Sequence, residues 1–277
     1  MTGNTGNTGN TGNTGNTGNV GNAGAGGGWF FPDRIDLPFA FAAGGTSNTT
    51  ALAQYPDKLW DVQWESWLVL QQFAQTTWTA GFTPIGGAVI PPTAAGILVE
   101  LDNLLKAAVD ERADALGEIL AQSDEFLSFF VALLGINTSS FPKTRKLLHV
   151  GDLVGKFAVM YFKYDKKRPR PSHLCPALLP PIAVPGHASW PSGHSTQAWL
   201  IAKVLELILP AADNIKPTLM HNLSVLAGRI ARNREIAGLH YPSDSEAGKQ
   251  LADHLLGKLN TCGLFTAAIA EAQAEWT

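Results

Sequence analysis

From Asp57 to Leu259, apolar residues return at three- and four-residue spacing in segment after segment, and alternating Val/Ile/Thr runs are almost absent. That period lines side chains up on one face of an α-helix. The chain is therefore expected to be all-α, with a helical bundle core. Helical patterns cover residues 57–77, 94–109, 110–135, about 140–162, 194–208, 216–238 and 243–259. Trp60, Trp64 and Trp67 sit at helical spacing and are expected to pack into the core. Residues 80–93 hold Gly and Pro and read as a loop, and residues 164–193 form a long Pro-rich connection. Connections of that length inside a compact domain tend to carry function.

Ahead of the helical region, residues 2–19 repeat Thr-Gly-Asn six times and then become Gly-rich up to Gly28. With no apolar side chain to bury and much backbone entropy to lose, residues 1–28 are expected to be a disordered tail. Residues 29–277 are then a single helical domain, turn-rich over 29–55. Of the 277 residues 45% are hydrophobic and 16% charged, enough for a sizeable core. The formal net charge of -3 gives no basic field for nucleic acid.

The best apolar runs are short (126–136) or carry Lys203 and Glu206 (197–210), so no membrane span is expected. No basic segment leads into an apolar stretch at the start, so no signal peptide is visible. The chain reads as soluble, either cytoplasmic or exported by another route. Cys175 and Cys262 are not in a Cys-x-x-Cys pattern, which argues against a thiolate metal site. The oligomeric state is open, a homo-oligomer included.

Three segments carry chemistry. "KYDKKRPRP", residues 163–171, holds Lys163, Lys166, Lys167, Arg168 and Arg170. It reads as a solvated basic turn or as an anion clamp, in which Lys supplies a point charge and Arg a planar fork for phosphate oxygens. "PSGHS", residues 191–195, reads as a plain helix cap or as an anion site. In the second case Ser192, the Gly193 amide and the first free amides of the next helix face the ligand, and His194 offers a proton at the rim. "NREIAGLHYPSD", residues 233–244, reads as a helix junction or as a nucleophile set. There His240 attacks, Asp244 accepts the imidazole N–H, and Arg234 holds anion oxygens.

Together and in this order the three segments resemble the type 2 phosphatidic acid phosphatase / vanadium haloperoxidase superfamily. The motifs are Lys163, Arg170 and Pro171; Pro191, Ser192, Gly193 and His194; and Arg234, His240 and Asp244. The resemblance covers about residues 141–260. It departs at Asn233, where the family usually has Ser, and a small effect is expected.

The resemblance implies a helical fold with one anion site and a phosphomonoesterase that needs no metal or other cofactor. His240 would attack phosphorus and form a phosphohistidine, and His194 would protonate the leaving alkoxide. Lys163, Arg170, Ser192, Gly193 and Arg234 would bind the phosphoryl oxygens of a small phosphorylated substrate. The alternative it implies is a haloperoxidase in which the same pocket holds vanadate at His240. His187, seven residues before His194, resembles the bromoperoxidase pattern, or else lines a phosphatase pocket. The length of residues 29–277 is closer to the soluble bacterial acid phosphatases. Trp190, next to Pro191, is expected to wall the pocket, and His173 to reach its rim.

Overall fold

The computed structural model describes residues 55, 59–91, 93–137, 140–210 and 216–277. The tail expected over residues 1–28 and the segment 29–54 lie outside these. The chain divides into two compact units, residues 1–63 and 64–277. In the first, the Tyr55 hydroxyl donates to Leu59 O at 3.1 Å, and its ring meets Trp60 edge-on at 5.9 Å. The candidate site lies in the second.

The described residues are helical without strands: α1 (Val62–Ala74), α2 (Ala94–Asp110), α3 (Arg112–Asp124), α4 (Leu127–Leu134), α5 (Pro142–Lys166), α6 (Pro171–Leu174), α7 (Gly193–Ile208), α8 (Lys216–Ile236), α9 (Pro242–Leu259) and α10 (Gly263–Gln273). None of these helices is long and apolar enough to cross a membrane. The all-α expectation is met. The pattern over 110–135 is two helices, because Glu125 stops one and caps the next: its carboxylate accepts from Leu127 N at 2.6 Å and Ser128 N at 2.9 Å.

α7 is the central element, packed against α5, α8 and α9. Most of its apolar residues are buried, among them Leu200, Ile201, Val204, Leu205 and Ile208, while the stripe through Trp199, Lys203 and Leu207 is only partly covered. Each such side chain contributes about 1.5–3 kcal/mol relative to exposure. α5 and α7 meet at Gly151 and Gly155. A Cβ on Gly155 would stand 2.8 Å from Gln197 Cγ and 3.1 Å from its Cα, and one on Gly151 would stand 2.7 Å from Ile201 Cγ1. The missing side chains let the helix that carries Lys163 lie directly on the helix that begins with the Pro-Ser-Gly-His turn.

Two expectations fail. Trp64 and Trp67 are 43% and 48% exposed, because α1 turns Ser66, Val69, Leu70 and Phe73 inward instead. Trp60, in the first unit, is 42% exposed. α10 was not expected. Its buried residues are Phe265, Ala268 and Ala272, and small side chains make a faint apolar stripe.

Candidate active site

The last turn of α8 and the first of α9 bring Arg234, His240 and Asp244 together. Past Ile236 the chain doubles back, and Arg234 O accepts from Leu239 N at 3.0 Å and His240 N at 3.3 Å. Pro242 opens α9 at a position where a missing N–H costs nothing. Asp244 sits in that helix's first turn, where the dipole favours a carboxylate. Its Oδ2 accepts from Tyr241 N at 3.1 Å, from the Ser189 hydroxyl, and from His240 Nδ1 at 3.2 Å. Its Oδ1 accepts from Arg168 Nη1 at 2.6 Å.

Burial alone pushes the Asp244 carboxyl up. The hydrogen bond from His240, the Arg168 charge and Ser189 outweigh that and hold it at about 2. Burial pushes the His240 imidazole well below its ordinary value, so it is neutral. With Nδ1–H on Asp244, Nε2 carries the ring's lone pair. That nitrogen lies 3.4 Å from Arg170 Nη1.

Lys163 projects from the last turn of α5 and Arg170 precedes α6, both nearly without exposure. Lys163 Nζ donates to Ala188 O at 2.9 Å and Ser189 O at 2.7 Å. Arg170 donates to His187 O and Leu239 O, each at 3.0 Å. Burial, then the neighbouring Arg170 charge, drops the Lys163 ammonium to about 7. Burial drops Arg170 to about 10.

Ser192 caps α7, its hydroxyl accepting from Ser195 N at 3.4 Å, and its own N–H donates to Asp244 O at 2.9 Å. That bond ties the second motif to the third. Gly248 keeps the two helices close: a Cβ there would stand 2.8 Å from Ser192 O. Gly193 opens α7, so its amide belongs to the free first turn. A Cβ at Gly193 would meet nothing nearer than 3.6 Å, so its smallness serves no packing need inside the protein.

His194 and Arg234 are held from another side, by the C-terminal half of α3. His194 Nε2 lies 3.2 Å from Gln122 O, and its ring packs 5.3 Å from Phe126. Arg234 Nη2 donates to Ile119 O at 2.9 Å. Burial, then the Arg234 charge, pushes His194 down to about 3, and burial pushes Arg234 down to about 10. Asn233 pins α3 in place, donating at 2.9 Å to both Glu118 Oε2 and Gln122 Oε1.

The charges do not balance. Among the described residues, no carboxylate lies within ion-pair distance of Lys163, Arg170 or Arg234. Arg234 Nε is buried without a hydrogen-bond partner among those residues. Such a donor forfeits about 1–3 kcal/mol. Three buried cationic side chains that meet main-chain carbonyls and, at Arg170, the rings of His187 and His240 are chemically suited to an anion with several oxygens.

The sequence reading gathers these residues but misses their support. Arg168, one of five cations in a run that reads as a solvated turn or an anion clamp, bridges Asp244 and Glu100, its Nη2 standing 2.6 Å from Glu100 Oε2. Ser189 carried no signal beyond its place in the Pro-rich connection. His187 is near the site, Nδ1 standing 3.1 Å from Arg170 Nη2. Trp190 does not offer a wall: its indole is buried in the core between Phe82 and Phe162 and donates to Ala88 O at 3.0 Å. His173 is exposed on α6.

No family model matches this chain, and no curated protein matches it. Among solved structures it is similar to the crystal structure of the first transmembrane PAP2 type phosphatidylglycerolphosphate phosphatase from Bacillus subtilis. The two are 20% identical, the match covers 73% of this chain and 94% of that one, and the TM-score is 0.47.

Proposed function

We propose that the chain is a phosphatase of the type 2 phosphatidic acid phosphatase / vanadium haloperoxidase superfamily, hydrolysing phosphomonoesters through a phosphohistidine. The observation that carries this reading is the set of three buried cations without carboxylate partners among the described residues, one with an orphaned N–H, beside a neutral histidine whose Nδ1 is held by Asp244 and whose Nε2 faces Arg170. A phosphoryl transition state spreads charge over three equatorial oxygens, and fixed cations and amides stabilise it without reorganising.

In the proposed reaction His240 Nε2 attacks phosphorus while Nδ1–H stays on Asp244. The P–O bond to the alcohol breaks, and His194 gives the leaving oxygen its proton. In the anion-free state burial and Arg234 keep His194 neutral. A bound dianion cancels Arg234's repulsion and draws a proton onto that ring. Water then attacks the phosphohistidine, His194 takes a proton back, and phosphate leaves with His240 restored.

One observation favours a second reading. His187, at the spacing of the bromoperoxidase pattern, reaches Arg170. Lys163, Arg170, Arg234 and His240 would then hold vanadate, whose role is to activate peroxide for halide oxidation. A paired assay decides. Purified protein is expected to hydrolyse p-nitrophenyl phosphate with inhibition by vanadate, and His240→Ala to abolish turnover while helical content survives. Bromide oxidation after vanadate loading, with no hydrolysis, overturns the phosphatase reading. Full hydrolysis by His240→Ala removes His240 from the nucleophile's role.

A further inference from the structure

We infer that Arg168 is a positioning residue for His240: backed by Glu100, it fixes the Asp244 carboxylate that orients the imidazole, and it does not bind the phosphoryl group. The inference takes the reaction it serves from the phosphatase reading above.

Arg168 lies in the same basic run as Lys163 and Arg170, yet its hydrogen bonds go elsewhere. Nη1 donates to Ser243 Oγ at 2.7 Å and Asp244 Oδ1 at 2.6 Å, and Nη2 to Glu100 Oε2 at 2.6 Å. Its guanidinium carbon stacks 3.6 Å above the Tyr241 ring, which fixes the plane of the fork. The charge is shared by two buried carboxylates, whereas Lys163, Arg170 and Arg234 have none within ion-pair distance among the described residues. An anion arriving at the site has little to gain from a cation already neutralised twice.

Arg168 also acts on the other oxygen of Asp244. Its main-chain carbonyl accepts from Ser189 N at 2.9 Å, and the Ser189 hydroxyl donates to Asp244 Oδ2. One residue thus sets Oδ1 directly and Oδ2 through Ser189, and Oδ2 is the atom facing His240 Nδ1. Glu100 closes the arrangement. Its Oε1 accepts from Ser243 N at 2.9 Å, so this α2 carboxylate holds both Arg168 and the first turn of the helix that bears Asp244. A carboxylate held on both oxygens keeps the proton on Nδ1 and leaves Nε2 free to attack.

The test uses the full chain with Arg168→Lys and Glu100→Gln. Lysine keeps the charge but lacks the fork that spans two carboxylates. Glutamine keeps an acceptor for Ser243 N but loses the charge behind Arg168. In both variants kcat is expected to fall about tenfold or more. KM and the dissociation constant for sulfate are expected to stay within about twofold, since no phosphoryl ligand is lost. The acid limb of kcat should move to higher pH as Asp244 loses support. ¹⁵N NMR of His240 is expected to show Nδ1–H in the native protein and a growing Nε2–H population in the variants.

Sulfate affinity falling in step with kcat makes Arg168 a phosphoryl ligand and overturns the inference. So does unchanged kcat, pH profile and tautomer in a folded variant, which leaves Arg168 with a structural part alone. If Arg168→Lys does not fold, Glu100→Gln carries the same readouts. If the native protein hydrolyses nothing, the phosphatase reading fails, while the tautomer and sulfate arms still decide Arg168.

Discussion

Lys163 is charged only in part near neutrality, because burial and Arg170 bring it to about 7. Its charge is present below that pH and lost above it, so anion binding should weaken as pH rises. Sulfate is the suitable probe, being a dianion throughout. Its affinity is expected to fall about fivefold from pH 7 to pH 8, as the protonated fraction drops from about a half to about a tenth, and Lys163→Met should bind weakly at both. A flat profile in the native protein would place the ammonium elsewhere. His194 gives a second test. His194→Ala should slow esters of poor leaving groups far more than p-nitrophenyl phosphate, whose phenolate leaves with little proton help. Equal losses would make His194 a phosphoryl ligand. Residues at fixed spacing within one segment, such as His240 and Asp244, are legible in the sequence because a helix start converts spacing directly into geometry. Glu100 is not, since it meets Arg168 across 68 residues. The basic run could not announce that one of its arginines faces two carboxylates.

The helix contacts set the geometry of the site. Gly155 and Gly248 hold α5 and α9 against α7 at distances that leave no room for a methyl group. Gly155→Ala is expected to destabilise the fold by about 1–3 kcal/mol, as overpacking does, read from denaturant midpoints. Gly248→Ala should in addition lower kcat, because the contact is with Ser192 O beside the proposed donor. A variant with native stability and native kcat would show that the helices part without cost. Asn233 works through α3: Asn233→Ala releases the helix whose carbonyls hold His194 and Arg234. Its activity loss is expected to be larger on alkyl than on aryl phosphates. The period of apolar residues revealed most helices, since large side chains face the core at regular intervals. It missed α10, packed through alanines, and the break at Glu125, which depends on one side chain folding back on two amides.

For the whole molecule the buried ionisable groups predict acid sensitivity. His194 and His240 are both pushed down, so unfolded chains bind protons below about 6.5 that the folded protein refuses. Stability should therefore fall as pH drops from 6.5. Asp244, depressed to about 2, adds a further loss below its ordinary 3.8. Thermal melts across pH 7 to 4 should show the midpoint dropping, with sulfate raising it at each pH by binding the folded state. A midpoint that stays level would mean the histidines are protonated in place. Each of the three cations without a carboxylate partner among the described residues is held by main-chain oxygens: Lys163 by residues 188 and 189, Arg170 by 187 and 239, Arg234 by 119. A peptide oxygen survives every substitution of its own residue. Side chains at these positions can drift through evolution without removing the charge from the site, and a search for invariant residues would pass over the atoms that keep it ready.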